Sequence, residues 1–140
     1  MNRLAAWFSI LTLGVLAACS APSPVIPPTG QAAADAGARI YEGNCSACHQ
    51  PDAHGVPGVY PSLIGSPVVL GDPQALALWI VKGRRPPAMV AGRYPTVMAQ
   101  FGWLKPGDAA ALLTYLRSSF GNAAPSVDAA TVARALDSPT

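Results

Sequence analysis

Apolar residues recur at helical spacing in several stretches of this chain, and no run alternates convincingly at the period of a strand. Leu76, Trp79 and Ile80 make one stripe. Asp72 before them suits an N-cap, Pro73 the first helical position and Gly83 the stop, so a helix is predicted over 72–83. Ala109, Leu112, Leu113, Leu116 and Phe120 predict another from Pro106 to Gly121, with Lys105 a weak cap. A first helix is expected from Asp35 to about Cys45, and a short one within Ser126 to Leu136, with Val132 and Leu136 on one side. Pro51 to Pro73 and Arg84 to Gly102 are rich in Pro or Gly and read as loops. The expectation is all-α: three main helices, long loops, a short extra C-terminal helix and no internal repeat.

The N-terminus is of another kind. Arg3, an apolar stretch from Leu4 to Leu16 and small residues after it form a secretion signal over 1–18, too short for an ordinary membrane span. The stretch ends Leu16-Ala17-Ala18-Cys19, which resembles the lipobox of bacterial lipoproteins. That resemblance implies cleavage before Cys19 and acylation of its thiol; the alternative is an ordinary signal peptide with Cys19 incidental. Ala21 to Ala34 is rich in Pro, Ser, Ala and Gly and reads as a semi-extended tether. The expected organisation is a signal at 1–18, a lipidated N-terminus and tether at 19–34, a domain at 35–122 and an extension at 123–140. The expected location is the periplasmic side of a bacterial membrane, held there by lipid.

Cys45-Ser46-Ala47-Cys48-His49 carries the chemistry. C-x-x-C-H is an attachment signal for haem c: two thiols add to the porphyrin vinyl groups, and the adjacent imidazole takes an axial position on the iron. On a helical turn, positions i, i+3 and i+4 share a face, so Cys45, Cys48 and His49 can meet one flat macrocycle. A thioredoxin-like redox pair needs a βαβ context that is absent here. Zinc on Cys45, Cys48, His49 and His54 would crowd into one segment ligands that structural sites draw from separated pairs. With Cys19 assigned to lipid, no thiol is left over for a disulfide. One motif means one haem, whose rigid apolar surface helps a domain too small to build a generous core.

Charge adds less. The 140-residue chain carries a formal net charge of +2 and no basic stretch interleaved with aromatics, so nucleic acid is not an expected partner. Lys82, Arg84, Arg85, Arg93 and Lys105 fall in a stretch with no acid between Asp72 and Asp108. This reads as a solvated basic face. Arg84 and Arg85 are the candidates for contacting a haem propionate or docking an acidic partner.

From about Ala33 to Asn122 the chain resembles class I cytochromes c of the small bacterial single-haem kind, most closely the modules that accompany membrane-bound dehydrogenases. The residues behind the resemblance are Gly37 and Tyr41, the Cys45–His49 motif, then Gly55, Gly58, Pro61 and Leu63. Tyr94 to Met98, Phe101 to Leu104 and Ala110 to Asn122 complete it. It implies the cytochrome c fold, with Met98 as the second axial ligand and Met89 as the runner-up. The family's Pro after the ligating Met is here Ala99. Pro61 matches a proline whose carbonyl accepts the imidazole proton, and Leu63 a side chain packed on the porphyrin. Gly37 and Tyr41 match a close crossing of first and last helices, faced by Leu112, Tyr115 and Leu116. Trp79 and Trp103 read as core or haem-pocket wall, and His54 as a loop histidine.

A His/Met pair closes both axial positions, which points to one-electron transfer between redox-protein partners rather than to catalysis. The readings are a free carrier, or an electron-transfer subunit of a membrane-bound dehydrogenase or oxidase. A more distant one is a haem sensor or enzyme with a labile sixth ligand.

Overall fold

The computed structural model describes residues 30–138; the expected signal, the lipidated Cys19 and most of the tether lie outside them. The elements are α1 (Gly30–Asn44), α2 (Ser46–His49), α3 (Pro67–Leu70), α4 (Pro73–Lys82), α5 (Pro106–Ser118) and α6 (Ala129–Asp137). Among the described residues the only β feature is an isolated antiparallel bridge between Val56 and Tyr60. No helix of the described residues is long and apolar enough to cross a membrane.

Local chemistry explains α4. The Asp72 carboxylate accepts from the Gln74 N–H at 3.0 Å, Pro73 opens the helix, and Gly83 closes it at φ 69°. The helix α1 begins at Gly30 rather than Asp35, so residues 30–34 are helix and not tether. Gln31-Ala32-Ala33-Ala34 is strongly helix-favouring, and the Gln31 side-chain amide donates to Asp35 one turn on, at 2.8 Å. The short helix α3 lies inside an expected loop, where Pro67 opens a single turn. The helix α5 stops at Ser118, short of Gly121, and Phe120 and Gly121 take φ 58° and 81° to turn the chain away. In α6 the Asp128 carboxylate caps the helix by accepting from the Thr131 N–H at 2.6 Å.

The core joins α1, α4, α5 and α6. Leu76, Ile80, Leu112, Leu113, Leu116 and Val132 are among its buried aliphatic side chains. The crossing of α1 on α5 is tight because Gly37 has no side chain. A β-carbon there would overlap the Ala111 carbonyl oxygen and stand 2.6 Å from the Tyr115 Cβ. Tyr41, one turn on, packs its ring against Tyr115 and Phe120 at centroid distances of 5.7 and 5.2 Å. Pro87 to Gln100 contains no regular element, as expected.

Candidate haem-binding site

The first helix hands its ladder directly to the motif. The Cys45 N–H donates to the Tyr41 carbonyl at 2.8 Å, and the His49 N–H to the Cys45 carbonyl at 2.9 Å. Cys45, Cys48 and His49 therefore lie on one continuous turn. Cys45 and His49 are buried, Cys48 is exposed, and neither thiol is in a disulfide. Burial, with Cys48 beside it, pushes the Cys45 thiol up to about 11.

His49 is oriented by one bond. Its Nδ1 lies 2.9 Å from the Pro61 carbonyl oxygen, and a carbonyl only accepts, so Nδ1 carries the proton. Nε2 is then the bare nitrogen, and it makes no hydrogen bond among the described residues. Burial pulls the imidazole pKa down, against the smaller opposing effect of the Pro61 bond. That shift favours the neutral ring, the form that binds a metal.

Pro61 reaches His49 because the intervening loop folds back on itself. Gly55 donates to the His49 carbonyl at 2.9 Å, and Val56 and Tyr60 exchange bonds of 2.9 and 2.8 Å. Only glycine fits at position 55: φ is 67°, and an added Cβ would lie 2.5 Å from the Pro61 carbonyl oxygen. Leu63 is half-buried against the core, its N–H donating to the Ala53 carbonyl at 2.9 Å.

Two polar anchors come from the stretch that closes the resemblance, where the sequence assigns neither a role of its own. Asn122, 6% exposed, donates to the Leu63 and Leu116 carbonyls at 3.1 and 2.8 Å and accepts from the Gly65 N–H at 2.8 Å. Arg117, 4% exposed, donates to the carbonyls of Val69, Gly71 and Pro125 at 2.7, 2.8 and 3.0 Å. Every partner is a backbone group, and those of Leu63, Gly65, Val69 and Gly71 are more than forty residues away along the chain, so no local pattern announces either role.

Met98 is half-buried and packs against the core. Its loop is pinned on both sides: Thr96 donates its hydroxyl to the Val59 carbonyl at 2.8 Å, and Phe101 its N–H to the Ile80 carbonyl at 2.9 Å. The first bond ties the Met98 loop to the loop that carries Pro61. Met89 is half-buried but is not among the side chains packed on the core.

Other expectations are met differently. Arg84 and Arg85 are exposed and line a surface cavity of about 510 Å³ with Asp72, Gln74, Leu78 and Ser138. None of Cys45, Cys48, His49, Pro61, Leu63 or Met98 lines that cavity. Trp79 packs against the core, whereas Trp103 is 62% exposed and is not core. It follows Gly102 in the turn before α5, where Leu104 supplies the buried contact instead. His54 is a loop histidine, exposed, with Nδ1 3.3 Å from an Asp52 carboxylate oxygen. Among the described residues no three His, Cys, Asp or Glu side chains converge to hold a bare metal ion.

Two thiols spaced for the edge of a macrocycle, beside an imidazole whose free nitrogen can meet the metal at its centre, fit covalently bound haem. The class so defined is a c-type haem protein with an all-helical shell. The chain belongs to the cytochrome c family: the family model described as "Cytochrome c" matches residues 34–120. That family binds haem c covalently. A cytochrome c-552 of Thermus thermophilus is 34% identical over 92 residues, covering 62% of this chain and 70% of that protein. The cytochrome c subunit of an alcohol dehydrogenase (quinone) from Gluconobacter oxydans is 36% identical over 96 residues, 65% of this chain. The corresponding subunit from Gluconacetobacter polyoxogenes is 36% identical over 115 residues, 78% of this chain. The chain spans only 20% and 24% of the length of those two subunits.

Proposed function

We propose that this protein is a one-electron carrier anchored by lipid to the periplasmic side of a bacterial membrane. The observation that carries the reading is the Nδ1–H bond from His49 to Pro61, on the same turn as Cys45 and Cys48. Haem c, when bound, supplies an iron that takes up and releases single electrons. Cys45 and Cys48 would hold the macrocycle through thioether bonds, and His49 Nε2 would bind its iron. The Met98 sulfur, on the loop that Thr96 fastens to Val59, would be the second protein ligand. Two protein ligands from a braced shell would exclude exogenous ligands and keep the site similar in shape in both oxidation states. Val59 and Val97, exposed on the segments that the Thr96 bond joins, offer an apolar contact for a redox partner. Cys19 carries the lipid and residues 20–29 the reach.

A second reading, an electron-transfer subunit of a dehydrogenase complex, is favoured by the likeness to the two alcohol dehydrogenase subunits. Co-purification with a larger oxidoreductase under mild detergent would establish it, and isolation as a lone protein would favour the free carrier. The test of both is an oxidised and reduced optical spectrum of protein matured in a competent bacterium. Covalent haem after denaturing electrophoresis, a sulfur-to-iron charge-transfer band and no carbon monoxide binding at neutral pH are expected. An absent haem stain overturns the proposal, and ready carbon monoxide binding turns it toward a sensor or enzyme. Mass spectrometry of wild type and Cys19→Ser tests the anchor through loss of the diacylglycerol mass.

A further inference from the structure

We infer that the Tyr41 hydroxyl is a positioning group for the His49 imidazole, acting through the Gln50 peptide. The inference rests on His49 being an axial ligand.

Tyr41 is 2% exposed, and its ring fills the α1–α5 crossing beside Tyr115 and Phe120. A phenylalanine would fill the same space. The hydroxyl therefore adds nothing to packing, and burying it costs free energy unless it is bonded. It donates to the Gln50 carbonyl oxygen at 2.5 Å, at the short end for such bonds.

Gln50 directly follows His49 and adopts φ 67° and ψ 156°, a region that residues with a side chain rarely occupy. Such a conformation persists only when its surroundings hold it. The Gln50 carbonyl is held by the Tyr41 hydroxyl and by the Ala53 N–H at 3.1 Å, and Ala53 is itself at φ 62°. The His49 carbonyl is held by the Gly55 N–H at 2.9 Å. The backbone leaving His49 is thus fixed at successive carbonyls, and the imidazole is fixed at its far end by Pro61. Of these anchors, only the Tyr41 hydroxyl comes from a side chain and from another helix. Burial pushes its pKa up to about 12, so it remains a donor across the physiological range.

Loss of the hydroxyl lets Gln50 relax toward ordinary backbone angles and lets the His49 ring swing off its line to Pro61. A weaker Nδ1–H···O=C bond makes Nε2 a poorer donor to iron. The ferric state loses more from this than the ferrous state, so the reduction potential rises.

The experiment compares purified holoprotein of wild type, Tyr41→Phe and Tyr115→Phe. Tyr115 belongs to the same aromatic trio, and its hydroxyl makes no hydrogen bond among the described residues. Redox titration should show the ferrous-to-ferric ratio of Tyr41→Phe shifted about threefold at a fixed potential, roughly 30 mV upward at 59 mV per decade. Proton NMR of the reduced protein should show the His49 Nδ1 proton exchanging several-fold faster. Tyr115→Phe should match wild type in both. A Tyr41→Phe protein that melts lower, yet keeps wild-type potential and exchange, reduces the hydroxyl to a structural role and overturns the inference. If that variant yields no holoprotein, the test falls on wild type: the Tyr41 hydroxyl proton must be slow to exchange, and exchange as fast as a free phenol overturns the inference. A missing haem or a non-histidine axial ligand would appear in the optical and NMR spectra of wild type, and would fail the proposed function first.

Discussion

The crossing of α1 on α5 gives a test in which one substitution at two sites must act with opposite signs. Gly37→Ala and Gly43→Ala both replace a glycine inside α1 by the best helix former. On propensity alone each gains up to about 1 kcal/mol, less for Gly43 near the helix end. Around Gly43 nothing lies within 4 Å of the new methyl, so that gain should appear as increased stability. At Gly37 the methyl would overlap the Ala111 carbonyl oxygen and stand 2.6 Å from the Tyr115 Cβ and 2.9 Å from the Ala111 carbonyl carbon. These are backbone and Cβ atoms, which cannot swing aside, so the helices themselves must part. Overpacking of this kind costs roughly 1–3 kcal/mol, and rigid opponents put it near the upper end. After the propensity gain, a net loss of about 2 kcal/mol remains, or roughly 10 °C in melting temperature for a domain of this size. Thermal unfolding of the holoprotein, followed by far-UV circular dichroism and by haem absorbance, measures both variants. A Gly37→Ala protein that melts at or above wild type would refute the close-crossing argument, whatever Gly43→Ala does.

Arg117→Met keeps most of the side-chain volume but strips the Val69, Gly71 and Pro125 carbonyls of their donor, and should cost about 3 kcal/mol in urea unfolding. Met98→Ala should lower the reduction potential and admit carbon monoxide to the reduced haem, while Met89→Ala should do neither. The Asp128 carboxyl is held below its ordinary range, chiefly by the Thr131 N–H and side chain. Its folded pKa is depressed, so the cap on α6 stabilises above the unfolded carboxylate value and is lost as pH falls through the folded one. The protection factor of the Thr131 amide, the slowing of its exchange relative to an unfolded chain at the same pH, should therefore be higher at neutral pH than in acid, and Asp128→Asn should flatten that dependence.

What the chain announces locally is correct where local chemistry decides. The helix α4 is legible end to end because Asp72, Pro73 and Gly83 each act on their own backbone or the next turn. The donor set is legible because a helical turn alone brings Cys45, Cys48 and His49 onto one side. The resemblance added Pro61, and the Nδ1 bond is where it implied. The start of α1 is not legible in composition, because a stretch rich in Pro, Ser, Ala and Gly reads as one tether although its last residues are Gln and Ala with a stabilising Asp one turn on. Trp103 reads as core or haem-pocket wall, and Gly102 and the turn into α5 keep it out of the core.

Composition and spacing along the chain were enough for the helical class, the caps and the haem-attachment turn, since each depends on residues within about one helical turn of each other. Tertiary structure alone decided that an arginine on the last turn of α5 would be buried, because its acceptors come from segments far away along the chain. It alone set Asn122 under the loop that carries Leu63, placed Arg84 and Arg85 at a surface cavity with Asp72 and Ser138, and aimed the Tyr41 hydroxyl at the carbonyl of the residue after His49. The hydrogen bonds among them run from side chains to backbone groups of no distinctive sequence outside the helix that carries the donor or beyond its end, and such contacts form only once the chain has closed on itself.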